Sequence, residues 1–126
     1  MSAAAPPKSR FAKAAPPQEE LVQRNLKIKT GILKRNIKDL AFTKAEVERE
    51  TLRLNKVTAD DPEKISQQNN VIQEAKMMIP LAENRVRTSL QDLKDFLATE
   101  VSIPDGEAKT LATLAISDGE AVFESS

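Results

Sequence analysis

Cysteine, histidine, tryptophan and tyrosine are all missing from this 126-residue chain. With no thiol and no imidazole there is no disulfide, no thiol nucleophile, no soft-metal ligand set and no side chain that ordinarily titrates near neutrality. Glycine is scarce as well: only Gly31, Gly106 and Gly119 occur, too scattered for a loop that cradles phosphate. No stretch nears the roughly 20 apolar residues of a membrane-spanning helix, and no apolar signal core is seen. An enzyme is therefore the reading the composition supports least, and neither a cofactor nor a metal is expected. What remains is 40% apolar and 30% charged residues with 3% aromatics, a balance that favours long amphipathic helices.

The 19 basic and 19 acidic residues cancel overall but are unevenly placed. Residues 21–57 hold ten basic and four acidic groups, whereas residues 102–126 hold one basic and five acidic. A chain that runs from basic to acidic can use the gradient to orient its own helices or to receive an acidic partner. A basic helix also suits nucleic acid, but without stacking aromatics or a binding motif no nucleic-acid role is expected. The opening, residues 1–17, is rich in Ala and Pro and carries Lys8, Arg10 and Lys13. It has the acid-free look of an organellar leader. Pro6, Pro7, Pro16 and Pro17 break the helix such a leader needs, so a disordered extension is expected.

Beyond Pro17 the spacing becomes helical. Leu26, Leu33, Leu40, Val47 and Leu54 recur every seven residues, each of the first four followed four residues later by Thr30, Ile37, Lys44 or Thr51. This heptad pattern predicts a helix over 18–56. Asp61 followed by Pro62 is a helix start. Ile65, Ile72, Ile79, Val86 and Leu93 then form a second seven-residue series, predicting a helix over 62–101. A third, shorter helix is expected over 105–117, capped by Ser102 or Asp105 and stopped by Gly119, with residues 119–126 as a tail. The short link between the first two helices makes them antiparallel. The fold class is all-α, an elongated antiparallel three-helix bundle with coiled-coil-like packing.

Two irregularities stand out. Pro80 lies deep inside the second helix, where it removes a backbone donor and crowds the Lys76 carbonyl at a cost of about 3 kcal/mol. The second helix is expected to be kinked at Pro80, which wraps it around its partners, and the same bend can also present Met77 to another protein. On the first helix, Ile28 and Phe42 fall nearly opposite the core stripe, and Ile32 lies close by. Arg24 and Arg35 share that side, Lys27, Lys34 and Lys38 flank it, and Gly31 interrupts it. Residues 21–38 hold six basic groups and no acidic one. Partner binding, packing by the third helix and self-association all remain open for this face.

The first helix, through Asn25-Leu26-Lys27-Ile28-Lys29-Thr30-Gly31-Ile32-Leu33-Lys34-Arg35, resembles the start of the tubulin-binding cofactor A (tubulin-specific chaperone A) family. Ile72-Gln73-Glu74-Ala75-Lys76-Met77-Met78-Ile79-Pro80 is similar to the same family's Met-Met-Ile-Pro segment. The resemblance spans roughly residues 25–100, and departs at the Ala/Pro-rich leader and at the shorter third helix. It implies a cytoplasmic, microtubule-associated protein that captures β-tubulin folding intermediates after chaperonin release, for assembly into the αβ-heterodimer. β-Tubulin and other tubulin-folding cofactors are the partners it implies. The residues expected to carry binding are Arg24, Lys27, Ile28, Gly31, Ile32, Lys34, Arg35, Lys38, Phe42, Met77 and Pro80. A coiled-coil scaffold or homo-oligomer is the rival reading.

Overall fold

A computed structural model describes residues 18–100 and 103–124, and three helices account for most of these described residues: α1 Gln18–Leu54, α2 Pro62–Thr99 and α3 Glu107–Glu124. The expected disordered extension over residues 1–17 lies outside the described residues, as do Val101 and Ser102. Glu19 and Glu20 sit in the first turn of α1, where carboxylates complement the positive end of the helix dipole. Its last turn tightens: the amides of Asn55, Lys56 and Val57 bond to the carbonyls three residues back, at 3.0–3.1 Å, ending the helix two residues before the predicted boundary. Asp61 caps α2 as its position predicts. Its carboxylate accepts the Lys64 amide at 3.2 Å, and Pro62 occupies the first turn. The helix then runs unbroken through the exposed Pro80 to Thr99.

Polar pairs fix how the helices lie. Lys29 Nζ meets Asp92 Oδ2 at 2.9 Å near one end of α1 and α2. Gln68 Nε2 donates to the Glu50 carbonyl at 2.8 Å and to Glu50 Oε1 at 3.0 Å near the other. Early residues of one helix face late residues of the other, so the pair is antiparallel. On α3, Glu120 pairs with Lys94 at 3.0 Å, and the Phe123 ring lies 4.5 Å from the Arg87 guanidinium. The bundle is up-down-up. α3, at 18 residues, spans about 27 Å, against about 55 Å for the 37 residues of α1. Its grooves with α1 run from Lys27 to Lys38, and α3 is too short to follow α1 to its end, so the stretch of α1 around Glu50 forms a two-helix hairpin with α2.

Leu26, Leu33, Leu40, Val86 and Leu93 are fully buried and anchor the core. Each contributes about 1.5–3 kcal/mol of burial. Thr30, the polar member of the stripe, is buried with its hydroxyl donating to the Leu26 carbonyl at 2.7 Å. Lys44 and Thr51, placed inward by the heptad, are exposed instead. They lie on the flank that α3 would cover if it were longer. In the hairpin Glu50 is buried, its carboxylate held by Gln68 and by Arg53 at 3.4 Å. One turn earlier Arg49 donates to Glu46 at 2.9 Å, and this bond holds the Glu46 carboxyl below its ordinary value of 4.5.

The third helix departs from expectation at both ends. It starts at Glu107, with the Gly106 carbonyl accepting the Thr110 amide at 3.0 Å, and Asp105 meets Lys109 Nζ at 3.2 Å. It also continues to Glu124, so Gly119 is no stop and the residues after it are no tail up to that point. Gly119 has no left-handed backbone and is buried. A methyl placed on it would come within 3.2 Å of Leu90 Cδ1 and 3.4 Å of Leu33 Cδ1. The glycine is there to let three helices approach closely.

Candidate functional site

The outer side of α1 is set by the same periodicity that buries its core. With Leu26, Leu33 and Leu40 turned inward, residues about 180° away on the 100° wheel must face water. Ile28 is 53% exposed and Phe42 65% exposed. Neither is taken up by the third helix. Arg24, Lys27, Lys34, Arg35 and Lys38 are exposed around them. Among the described residues none of these five cations makes an ion pair or a side-chain hydrogen bond. Free cations beside exposed aliphatics are the chemistry of a docking surface: charge steers and aligns the partner, and apolar area supplies the desolvation.

The wheel treats these residues as one face, whereas the structure divides them among two grooves and a ridge. Gly31, Lys34, Arg35 and Lys38 line a trough of about 500 Å³ towards α3, with Asp118 on its far wall. A smaller recess of about 190 Å³ continues it, between Lys27, Thr30, Gly31 and Lys34 on one side and Ala108 and Leu111 on the other. Ile32 turns the opposite way, into the groove between α1 and α2 with Thr88 and Asp92. That groove is floored by Asn36, whose amide donates to the Arg85 carbonyl at 3.2 Å and to Ser89 Oγ at 3.1 Å. Ile28 stands between the two.

Further along, Phe42 borders a small cleft with Thr43, Glu46, Ala75 and Met78, and the Arg49 guanidinium lies 5.6 Å from its ring. Met77 is 70% exposed on α2, and Pro80 is exposed close by. It is Met78, not Met77, that meets α1. Met78, Leu81 and Leu111 are exposed apolar residues absent from the expected set. Met78 sits inside the segment already singled out. Leu111 owes its position to how α3 lies against α1, which no single-helix pattern encodes. Among the described residues no acidic cluster is gathered to hold a metal, and no helix is long and apolar enough to cross a membrane.

Comparison with known proteins agrees with this architecture. The family model described as "Tubulin binding cofactor A" matches residues 22–116. The chain is 46% identical over 81 residues to the tubulin-folding cofactor A of Arabidopsis thaliana, covering 60% of this chain and 68% of that protein. It is 32% identical over 95 residues to the tubulin-specific chaperone A of Oryctolagus cuniculus, covering 74% and 88%. The crystal structure of tubulin-binding cofactor A from Leishmania major superposes with a TM-score of 0.71 at 44% identity, covering 79% of this chain and 94% of that one. The Arabidopsis crystal structure does so with a TM-score of 0.74 at 37% identity, covering 81% and 98%.

Proposed function

The chain belongs to the tubulin binding cofactor A family, and from that premise we propose that it captures β-tubulin folding intermediates after chaperonin release and holds them for assembly into the αβ-heterodimer. The activity is holding: no bond is made or broken, and the bundle acts as a rigid surface. The observation that carries this reading is the outer side of α1, where Lys27, Lys34, Arg35 and Lys38, without an ion-pair partner among the described residues, surround the exposed Ile28 and Gly31. Tubulin is strongly acidic, so lysine and arginine accelerate encounter and set register, while the aliphatics limit dissociation. Met77 and Pro80 extend the surface onto α2. The same reading sets the work in the cytosol, upstream of microtubules, where other tubulin-folding cofactors receive the captured subunit.

The test is a pull-down of β-tubulin folding intermediates and of assembled heterodimer with the full chain and with a Lys34→Glu, Arg35→Glu, Lys38→Glu variant. All three residues are exposed, so helicity by circular dichroism stays at the wild-type level. Capture of the intermediate is expected to fall about tenfold at low salt, and its salt dependence to flatten. Capture that survives unchanged removes this flank from the function.

A further inference from the structure

Building on that proposed function, we infer that the trough between α1 and α3 is the seat of an acidic segment of the bound protein, one that carries an aliphatic side chain among its carboxylates. Lys27, Lys34 and Lys38 line the α1 wall, with no acidic residue on that helix before Asp39 beyond its first turn. They are seven and four residues apart, so their backbone positions step by about 10 Å and then 6 Å along the axis. An extended chain advances about 3.3 Å per residue, which sets carboxylates three and then two residues apart opposite these lysines. Asp118 is the acid in the trough's lining, and it makes no ion pair with any of them among the described residues. No acid among the described residues neutralises these cations, which suits them to carboxylates of a bound protein.

The other half of the match is apolar. Leu111 on α3 is 44% exposed and lines the recess that continues the trough past Gly31 and Lys34. Gly31 opens the α1 side of that recess: a Cβ built on it meets nothing within 4 Å. A partner's aliphatic side chain therefore rests on Leu111 while its backbone passes close to Gly31. Charge complementarity selects a carboxylate-bearing segment, and the leucine selects one that is not acidic alone. The opposite groove, with Ile32 and Thr88, contains Asp92 and Arg85 together and has no such one-sided charge.

The experiment uses the full chain, isotope-labelled, with three synthetic probes. One is a peptide of glutamates interrupted by leucines, the second has Gln for Glu, and the third has Ser for Leu. With the first probe, amide shifts are expected at Gly31, Lys34 and Leu111 and not at Ile32 or Thr88. Affinity falls about tenfold for the Gln probe and about fivefold for the Ser probe. Leu111→Ser lowers affinity for the first probe about fivefold without loss of helicity, and Ile32→Ser leaves it unchanged. Shifts centred on Ile32 and Thr88, no shifts at all, or equal binding of all three probes overturns the inference. Tubulin capture is measured in parallel. Capture that persists fully in the Leu111→Ser and Lys34→Glu, Lys38→Glu variants sinks the groove and leaves the proposed function standing. A wild-type chain that seats the first probe but captures no tubulin does the reverse.

Discussion

Two glycines in this chain do opposite things, and stability measurements separate them. Gly31 lies in an exposed stretch of α1 with open space where a side chain would stand. A helix interior favours alanine over glycine by about 1 kcal/mol, so Gly31→Ala is expected to raise stability by about 0.5–1 kcal/mol. Gly119 is buried, with Leu90 and Leu33 side chains at 3.2 and 3.4 Å from the place of its missing Cβ. There the helix gain of alanine is offset by pushing the end of Leu90, leaving Gly119→Ala near neutral. Gly119→Leu has no room and is expected to lose about 2–3 kcal/mol. Urea titration ranks the variants, and a Gly119→Leu chain as stable as wild type means that the three helices do not meet there. A Gly31→Ala chain that is more stable yet weaker in capture places a partner's backbone against that residue.

At the scale of the element, α2 is the helix with the sharpest internal conflict. It is helical from Pro62 to Thr99 although Pro80 cannot donate to the Lys76 carbonyl. Its flanks compensate: Ile72, Ala82 and Val86 are buried on either side, so packing holds the backbone where propensity does not. Pro80 itself is exposed, and replacing it removes little contact. Pro80→Ala is expected to stabilise the fold by about 1–3 kcal/mol, visible as a higher melting temperature by circular dichroism. An unchanged melting temperature means that the helix relieves the proline by other means.

The same element shows what could be read from residue order alone. Asp61 and Pro62 are a local signal with a local cause, and the cap forms where they stand. The heptads of α1 and α2 announced their buried leucines because the period is a property of one helix. Gly119 was opaque for the opposite reason: as punctuation it ends a helix, but here it answers to side chains on two other helices. The candidate binding residues behave likewise. Exposure of Ile28 and Phe42 follows from the wheel, whereas the parting of Ile32 from Gly31 and Lys34 into separate grooves depends on where α2 and α3 lie.

Over the whole molecule the bundle is built in two unequal grades. Where α3 is present, Leu33, Val86, Leu93, Ala112 and Ala115 close a core shared by three helices. At the far end, where Glu50 meets Gln68, α1 packs on α2. Their contact line there includes the half-buried Val47, Leu54 and Ile65 and the polar pair of Glu50 and Gln68, and Leu52 and Val71 are exposed. A pair of helices with so little shared apolar area opens more readily than three. Native-state amide exchange is expected to show it: amides of residues 26–37 and 86–93 exchange only through global unfolding, while those of residues 44–54 and 65–75 exchange through a local opening about 2 kcal/mol less costly. Gln68→Ala strips the Glu50 carboxylate of its cross-helix donor and widens that gap by about 1–2 kcal/mol, while protection in the three-helix half stays in place. Equal protection at both ends, moving together in the variant, means that the hairpin and the three-helix half unfold as one unit. In that case the hairpin end gives Phe42, Met77 and Pro80 no freedom of their own, and the proposed holding of a partner rests on the flank of α1 alone.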